Sequence, residues 1–382
     1  MGILDSKKEK QKYYRLNNIL KTDAEYNMLL GERSNGKSYA VKECCLWEAY
    51  HHCDYGIWIN EGRKEQIARY EFGYLRRWKE ETKTRDVESY FEDIDIKSLT
   101  DGNYDAVVAY RGDIFFGNTT DDGKVERGDK IGSTFALTSA THYKSRTFPL
   151  IGNLIFEEFI TNAGYLPNEV DNLLSIVSSI ARRQRIRVFL IGNTISRLCP
   201  YFDEWELIHI KEQKQGTIEI YNQPTNQLDE ETGELITIKI AVEYCENSGS
   251  NSKMFFGKKS DMIVSGVWEC EAYPHLEEPF EKKYVKYQII YEYSSFKFMI
   301  NLIKRPNENP YLFVYPYTKE EYSCKRVITD KYSTDKFFTL YLTKVTKYDS
   351  IIMELLENQK IVFSDNLTGT EFYQIKKERG KF

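Results

Sequence analysis

The sequence predicts an α/β protein: a parallel sheet covered by helices on both faces, followed by a smaller β-rich α+β unit. Three observations carry that expectation. In the first half, short strands that are apolar at nearly every position alternate with helical segments, the pattern of strands buried on both faces. After about residue 215 the rhythm changes to β segments separated by turns. And 382 residues exceed what one core usually holds.

Taken in order, NMLLG (27–31) is an apolar strand running into a glycine turn, and KSYAVKECCLWEAYHH (37–52) is the helix after it. YGIWIN (55–60) reads as a second strand and RKEQIARYEFGYLRRWKEE (63–81) as a second helix. DAVVAYRGDIFFGN (105–118) is a hairpin turning at Arg111-Gly112-Asp113, and the stretch 117–133 a polar loop. NLIFEEFI (153–160) is a strand ending in two carboxylates. PNEVDNLLSIVSSIARR (167–183) is a helix with an Asn cap signal, and IRVFLIGNT (186–194) a further buried strand. TIEIYNQ (217–223) and LITIKIAVEY (235–244) form an antiparallel hairpin, and CENSGSNSK (245–253) is the best linker candidate. Beyond 280, the segments 284–294, 296–304, 311–317 and 337–345 are β-rich, and SIIMELLENQKI (350–361) is a helix. The expected division is 1–228, a linker or lid over 229–278, and a second domain over 279–382.

A formal net charge of -5 gives no bulk electrostatic case for nucleic acid, so any such contact must come from local basic clusters. Seven cysteines without a CxxC pair read as reduced thiols in a cytosolic protein. No apolar run is long enough for a membrane span or a signal peptide. The Met1-Gly2 start with Ser6 fits a loose myristoylation pattern that nothing else supports. His51-His52-Cys53 lacks partners at metal-ligand spacing and reads as a surface cluster.

Four constellations carry chemistry. Gly31-Glu32-Arg33-Ser34-Asn35-Gly36-Lys37-Ser38 fits G-x-x-x-x-G-K-[ST], the phosphate-binding loop. Its glycines let backbone N–H groups turn inward around phosphate oxygens, Lys37 reaches the β/γ-phosphates and the Ser38 hydroxyl holds Mg²⁺. Tyr39 follows directly. Glu157 and Glu158 stand at the tip of a buried strand, where one acid serves the metal and the other polarises water. Asn193 and Thr194 end another core strand, either as sensors of the terminal phosphate or as a Gly-Asn turn. Arg182, Arg183, Arg185 and Arg187 crowd a helix–strand junction. They read either as transition-state arginines reaching a neighbouring subunit or as solvated charges complementing the helix dipole.

In this order the motifs resemble the DNA-packaging ATPases of small short-tailed phages with protein-primed genomes, distant relatives of terminase large subunits. The resemblance rests on LLGERSNGKSYAVK, NLIFEEFI, YLPNEV (165–170), ARRQRIR (181–187), LIGNTIS and CPYF (199–202), within residues 25 to 205. It implies a P-loop NTPase domain of the additional-strand catalytic-glutamate type, with an extra strand between loop strand and acid strand. It implies ATP and Mg²⁺ as cofactors, with Lys37 and Glu158 catalytic and Ser38 and Glu157 on the metal. It implies a homo-oligomeric, pentameric ring on a procapsid portal in the host cytoplasm, double-stranded DNA as cargo, a structural RNA scaffold as a further candidate partner, and no membrane. Arg182, Arg183 or Arg185 would complete a neighbour's site, together with Lys144, beside which Arg146 lies. Arg63 and Lys64 fall where such motors contact DNA. Glu157 departs from the usual Asp.

The resemblance further implies that residues 279–382 are an RNase H-like nuclease that has lost its catalytic acids; Glu292, Asp330 and Asp349 are the acids present without a signature. A terminase with a working nuclease and a nucleotide-binding structural protein without turnover are the competing readings.

Overall fold

We describe a computed structural model of the protein over residues 14–33, 35–52, 69–161, 164–182, 185–228, 233–246, 270–276, 281–319, 324 and 326–380. The chain divides into two compact units: the described residues of 1–195 and 209–267, and those of 196–208 and 268–382. The division is not contiguous, because the segment 196–208 counts with the C-terminal half.

The first unit is organised by a nine-stranded sheet. Its strands are β1 (Tyr26–Gly31), β2 (Glu71–Arg76), β3 (Ala106–Tyr110), β4 (Asp113–Thr119), β5 (Val125–Ala136), β6 (Ile151–Glu157), β7 (Arg187–Asn193), β8 (Thr217–Leu228) and β9 (Leu235–Tyr244). They lie in the order β3-β4-β5-β2-β6-β7-β1-β9-β8. From β5 to β9 every neighbouring pair is parallel. The outer strands β3, β4 and β8 join antiparallel. β1 and β6 are buried along nearly their whole length, as the unbroken apolar runs predict. Helices α1 (Lys37–Tyr50), α2 (Thr84–Phe91) and α3 (Glu169–Ala181) cover this sheet. β7 separates β1 from β6, and the register sets Gly31 beside Asn193.

Four expectations change here. Residues 71–76 are a strand, not part of a helix: β2 is buried between β5 and β6, and Gly73 lies so close to Leu154 and Phe135 that an added Cβ would sit 2.6 Å from the Leu154 side chain. The stretch 125–133 is not a loop but most of β5, whose outer half is exposed and therefore polar. Asn168 precedes α3 without a side-chain cap; it holds a left-handed conformation, and Glu169 accepts the Leu166 N–H instead. Leu235–Tyr244, within the segment expected to link the domains, is a sheet strand hydrogen-bonded to β1. The expected strand 55–60 and most of the linker 245–253 lie outside the described residues.

The second unit holds a six-stranded sheet of β10 (Val285–Tyr293), β11 (Phe296–Ile303), β12 (Tyr311–Pro316), β13 (Val327–Ile328), β14 (Phe338–Thr339) and β15 (Ile361–Phe363). Their order is β14-β13-β10-β11-β12-β15, and β11 alone runs against the other five. Of the segment 337–345 only Phe338–Thr339 pairs as strand. Helix α4 (Lys347–Glu357) opens with a reciprocal Thr346–Asp349 capping box. Helix α5 (Asn366–Arg379), with its N-cap Asp365, was not anticipated. Ile289, Tyr291, Phe298, Phe363 and Phe372 build the core between helices and sheet.

Candidate functional site

β1 delivers the chain into the glycine loop, and α1 begins at Lys37. Gly31 (φ 151°) and Gly36 (φ 94°) bracket the turn in conformations that a side chain would strain. Inside it, the Lys37 ammonium donates to the Glu32 carbonyl at 2.5 Å and to Asn35 Oδ1 at 3.2 Å. Burial holds its pKa below the usual lysine value, outweighing the nearby Glu157 and Glu32 carboxylates that favour the charged form. The Asn35 Nδ2 is buried with no hydrogen-bond partner. A donor without an acceptor beside a desolvated ammonium is a loop suited to an anion. Ser34 lies outside the described residues.

Across the cleft, β6 brings its terminal acids to the loop. Ser38 Oγ donates to Glu157 Oε1 at 2.5 Å, and the Tyr90 hydroxyl to Glu157 Oε2 at 2.9 Å. Burial raises the Glu157 pKa, while these two hydrogen bonds and Arg76 oppose the rise. A carboxylate and a hydroxyl this close form a hard-oxygen pair of the kind that Mg²⁺ takes. Glu158 turns the chain at φ 56°, an uncommon conformation for a residue with a side chain. Two arginines at the end of β2 hold it. Arg76 Nη2 reaches Glu158 Oε2 at 2.9 Å and Glu81 Oε1 at 3.1 Å. Arg77 donates to the carbonyls of Glu158 and Phe159, and forks onto Glu169 at 2.9 Å through both Nε and Nη2.

Sequence reasoning missed Arg76, Arg77 and Tyr90. The signal was available: two arginines end an apolar run, as the two glutamates end theirs. Reading the run as helix hid it.

The cleft between these groups has a volume of about 680 Å³ and gathers Arg33, Asn35, Gly36, Lys37, Ser38, Tyr39, Glu157, Glu158 and Asn193. All these residues were expected at one site. The basic residues expected at a subunit boundary are not brought there. Lys144 and Arg182 share a separate pocket of about 510 Å³ with Ser175, Ser178 and Ser179. Arg182 ends α3 at φ 43° and donates to the Arg146 carbonyl at 2.7 Å. Arg185 is committed within the chain, to Asp23 at 2.9 Å and Glu25 at 2.7 Å. Arg187 is buried against Glu48 and Asn153. Arg183, Arg63 and Lys64 lie outside the described residues.

In the second unit the three acids do not converge. Glu292 is buried under the Lys331 ammonium at 2.6 Å. Asp330 accepts the Ser294 N–H. Asp349 is spent on the α4 cap and faces buried Arg326 at 3.9 Å. Among the described residues no group of three or more His, Cys, Asp or Glu side chains is placed to hold a metal, and no helix is long and apolar enough to cross a membrane.

Residues 8–225 match the family described as Podovirus DNA encapsidation protein (Gp16). The chain belongs to that family. The family match encloses every residue of the cleft. Among its relatives, the DNA packaging protein of Bacillus phage B103 is 30% identical over 194 residues, half of each chain. That of Bacillus phage phi29 is 30% identical over 204 residues, 52% of each. The chain thus spans about half the length of the curated relatives it matches. A chain of the bacteriophage Phi-29 viral genome packaging motor assembly shares the fold, with a TM-score of 0.52 at 22% identity, over 96% of this chain and 99% of that one.

Proposed function

We propose that this encapsidation protein is an ATP-hydrolysing motor that translocates double-stranded DNA into a procapsid, working as a homo-oligomeric ring on the portal. The observation that carries the reading is the meeting of Lys37, Ser38, Glu157 and Glu158 at one cleft, with β7 between β1 and β6, the strand placement of an additional-strand P-loop ATPase.

The chemistry follows from what each group can do. The loop and Lys37 bind the β/γ-phosphates. Ser38 and Glu157 would hold Mg²⁺, which when bound neutralises charge on the phosphate oxygens. Glu158 takes the proton of the attacking water, and Arg76 fixes its carboxylate while Arg77 fixes its backbone. Arg33, exposed in the cleft, adds positive charge on the phosphate side. We read the second unit as a vestigial RNase H-like nuclease used for docking, because Glu292, Asp330 and Asp349 are each engaged elsewhere. A working nuclease needs carboxylates converging on metal.

ATP turnover, measured with and without double-stranded DNA, tests the reading. DNA should stimulate it, and Lys37→Ala and Glu158→Gln should each lower kcat by about 100-fold or more. Normal turnover in both variants would refute the assignment.

A further inference from the structure

A closed circuit of contacts in the first unit runs from α1 to the acid strand and back. Ser38 and Lys42 stand four residues apart on α1, on one face of the helix. Ser38 Oγ donates to Glu157 Oε1 at 2.5 Å. Lys42 reaches toward α2 instead: its ammonium donates to the Tyr90 carbonyl at 2.7 Å and pairs with Asp93. The same ammonium lies 4.7 Å from the centre of the Tyr90 ring. The Tyr90 hydroxyl then donates to Glu157 Oε2 at 2.9 Å and closes the circuit. The ring also stacks on Tyr74 of β2, with centroids 4.5 Å apart. Tyr90 is therefore held by backbone, ring and hydroxyl together, and its hydroxyl is spent on one carboxylate.

That carboxylate has much to gain from being held. Glutamate has one torsion more than aspartate, and at a strand end it can swing away or turn both oxygens toward a cation. With Oε2 taken by Tyr90, Glu157 presents Oε1 alone, beside the Ser38 hydroxyl. One fixed oxygen suits Mg²⁺, which demands near-ideal octahedral geometry. Ca²⁺ is larger and accepts either one or both oxygens of a carboxylate. Tyr90 does not itself line the cleft, so whatever it does for a ligand it does through Glu157.

We propose that Tyr90 is a positioning residue for the metal: it holds Glu157 to a single oxygen, and so sets a preference for Mg²⁺ over Ca²⁺. The proposal rests on the ATPase reading, and adds to it the residue that aims the metal-holding acid.

Calorimetric titration of the full chain with ADP, in EDTA, in Mg²⁺ and in Ca²⁺, tests it. In the unaltered protein Mg²⁺ should tighten ADP binding, and by more than Ca²⁺ does. Tyr90→Phe keeps the ring and its stack but lacks the hydroxyl. It should cut the gain from Mg²⁺ by about tenfold, with affinity in EDTA unchanged and the gain from Ca²⁺ undiminished. Tyr90→Met removes the same hydroxyl with a flexible side chain, and serves if the first variant does not fold. A gain from Mg²⁺ that survives loss of the hydroxyl would overturn the proposal. So would an equal loss of affinity in EDTA, because Tyr90 would then support the loop and not the acid. Equal falls in the Mg²⁺ and Ca²⁺ gains would overturn the preference between the cations. Unaltered protein that binds ADP with no gain from Mg²⁺ would refute the metal role of Glu157. Unaltered protein that binds no ADP at all would overturn the phosphate-loop reading, and the role of Tyr90 falls in both cases.

Discussion

Glu158 shows how much of the chemistry is set one residue at a time. Its left-handed backbone swings the carboxyl off the line of β6, so that Glu157 faces Ser38 while Glu158 faces Arg76. Two adjacent acids on a regular strand would point to opposite faces; the turn lets both serve one cleft. Arg76 contacts Glu81 as well, so its guanidinium is fixed from two sides and passes that fixity to Glu158. Arg76→Ala should therefore lower kcat by roughly 10- to 100-fold through misplacement of the carboxylate, with ATP affinity nearly unchanged. Steady-state kinetics beside equilibrium nucleotide binding separates the two effects. A kcat at or above that of the unaltered protein would mean that the ion pair restrains Glu158 instead of positioning it.

Among the elements, β2 decides the placement of both arginines, and it was the element least legible in the sequence. The loop and α1 could be read from the phosphate-loop pattern, β6 and β7 from unbroken apolar runs ending in polar residues, and α3 from its apolar period. β2 has only six residues, and the charges flanking it, together with apolar residues spaced three and four apart, imitate an amphipathic helix. Burial between two parallel neighbours overrides that local preference. The exposed half of β5 misled for the opposite reason: a strand extending past the core has no apolar face to advertise it. The register between these two strands makes a sharp prediction. A Cβ on Gly132 would stand 2.3 Å from the Phe72 carbonyl oxygen, a backbone atom that cannot move without breaking the ladder. Gly132→Ala should destabilise the first unit by about 1–3 kcal/mol and speed amide exchange in β2 and β5. Exchange at the original rate in both strands would show that the two do not approach as described.

At the scale of the whole molecule, the proposed motor would find only one side of its reaction centre in the cleft. It gathers the loop, the two acids and Arg33, but neither Lys144 nor Arg182, which share a pocket that has no residue in common with it. Arg185 is already paired with Asp23 and Glu25, so the basic groups expected at a subunit boundary reduce, among the described residues, to these two. Their pocket collects two cations and three serines, and the only described tie of Arg182 to another segment is to a carbonyl. If the ring forms as proposed, this positive face is available to the nucleotide of an adjacent subunit, where it would stabilise transition-state charge. A subunit-mixing experiment decides the matter. Lys144→Ala/Arg182→Ala protein keeps an intact cleft, and Glu158→Gln protein keeps an intact basic face; each alone should turn over ATP at least about 100-fold slower than the unaltered protein. Mixed in equal amounts, some interfaces join a good cleft to a good face, and turnover should recover to a measurable fraction of the unaltered rate. Recovery requires the basic groups to act across the boundary. A mixture no faster than the sum of its parts would confine Lys144 and Arg182 to their own chain, and leave Arg33 to join Lys37 at the phosphates.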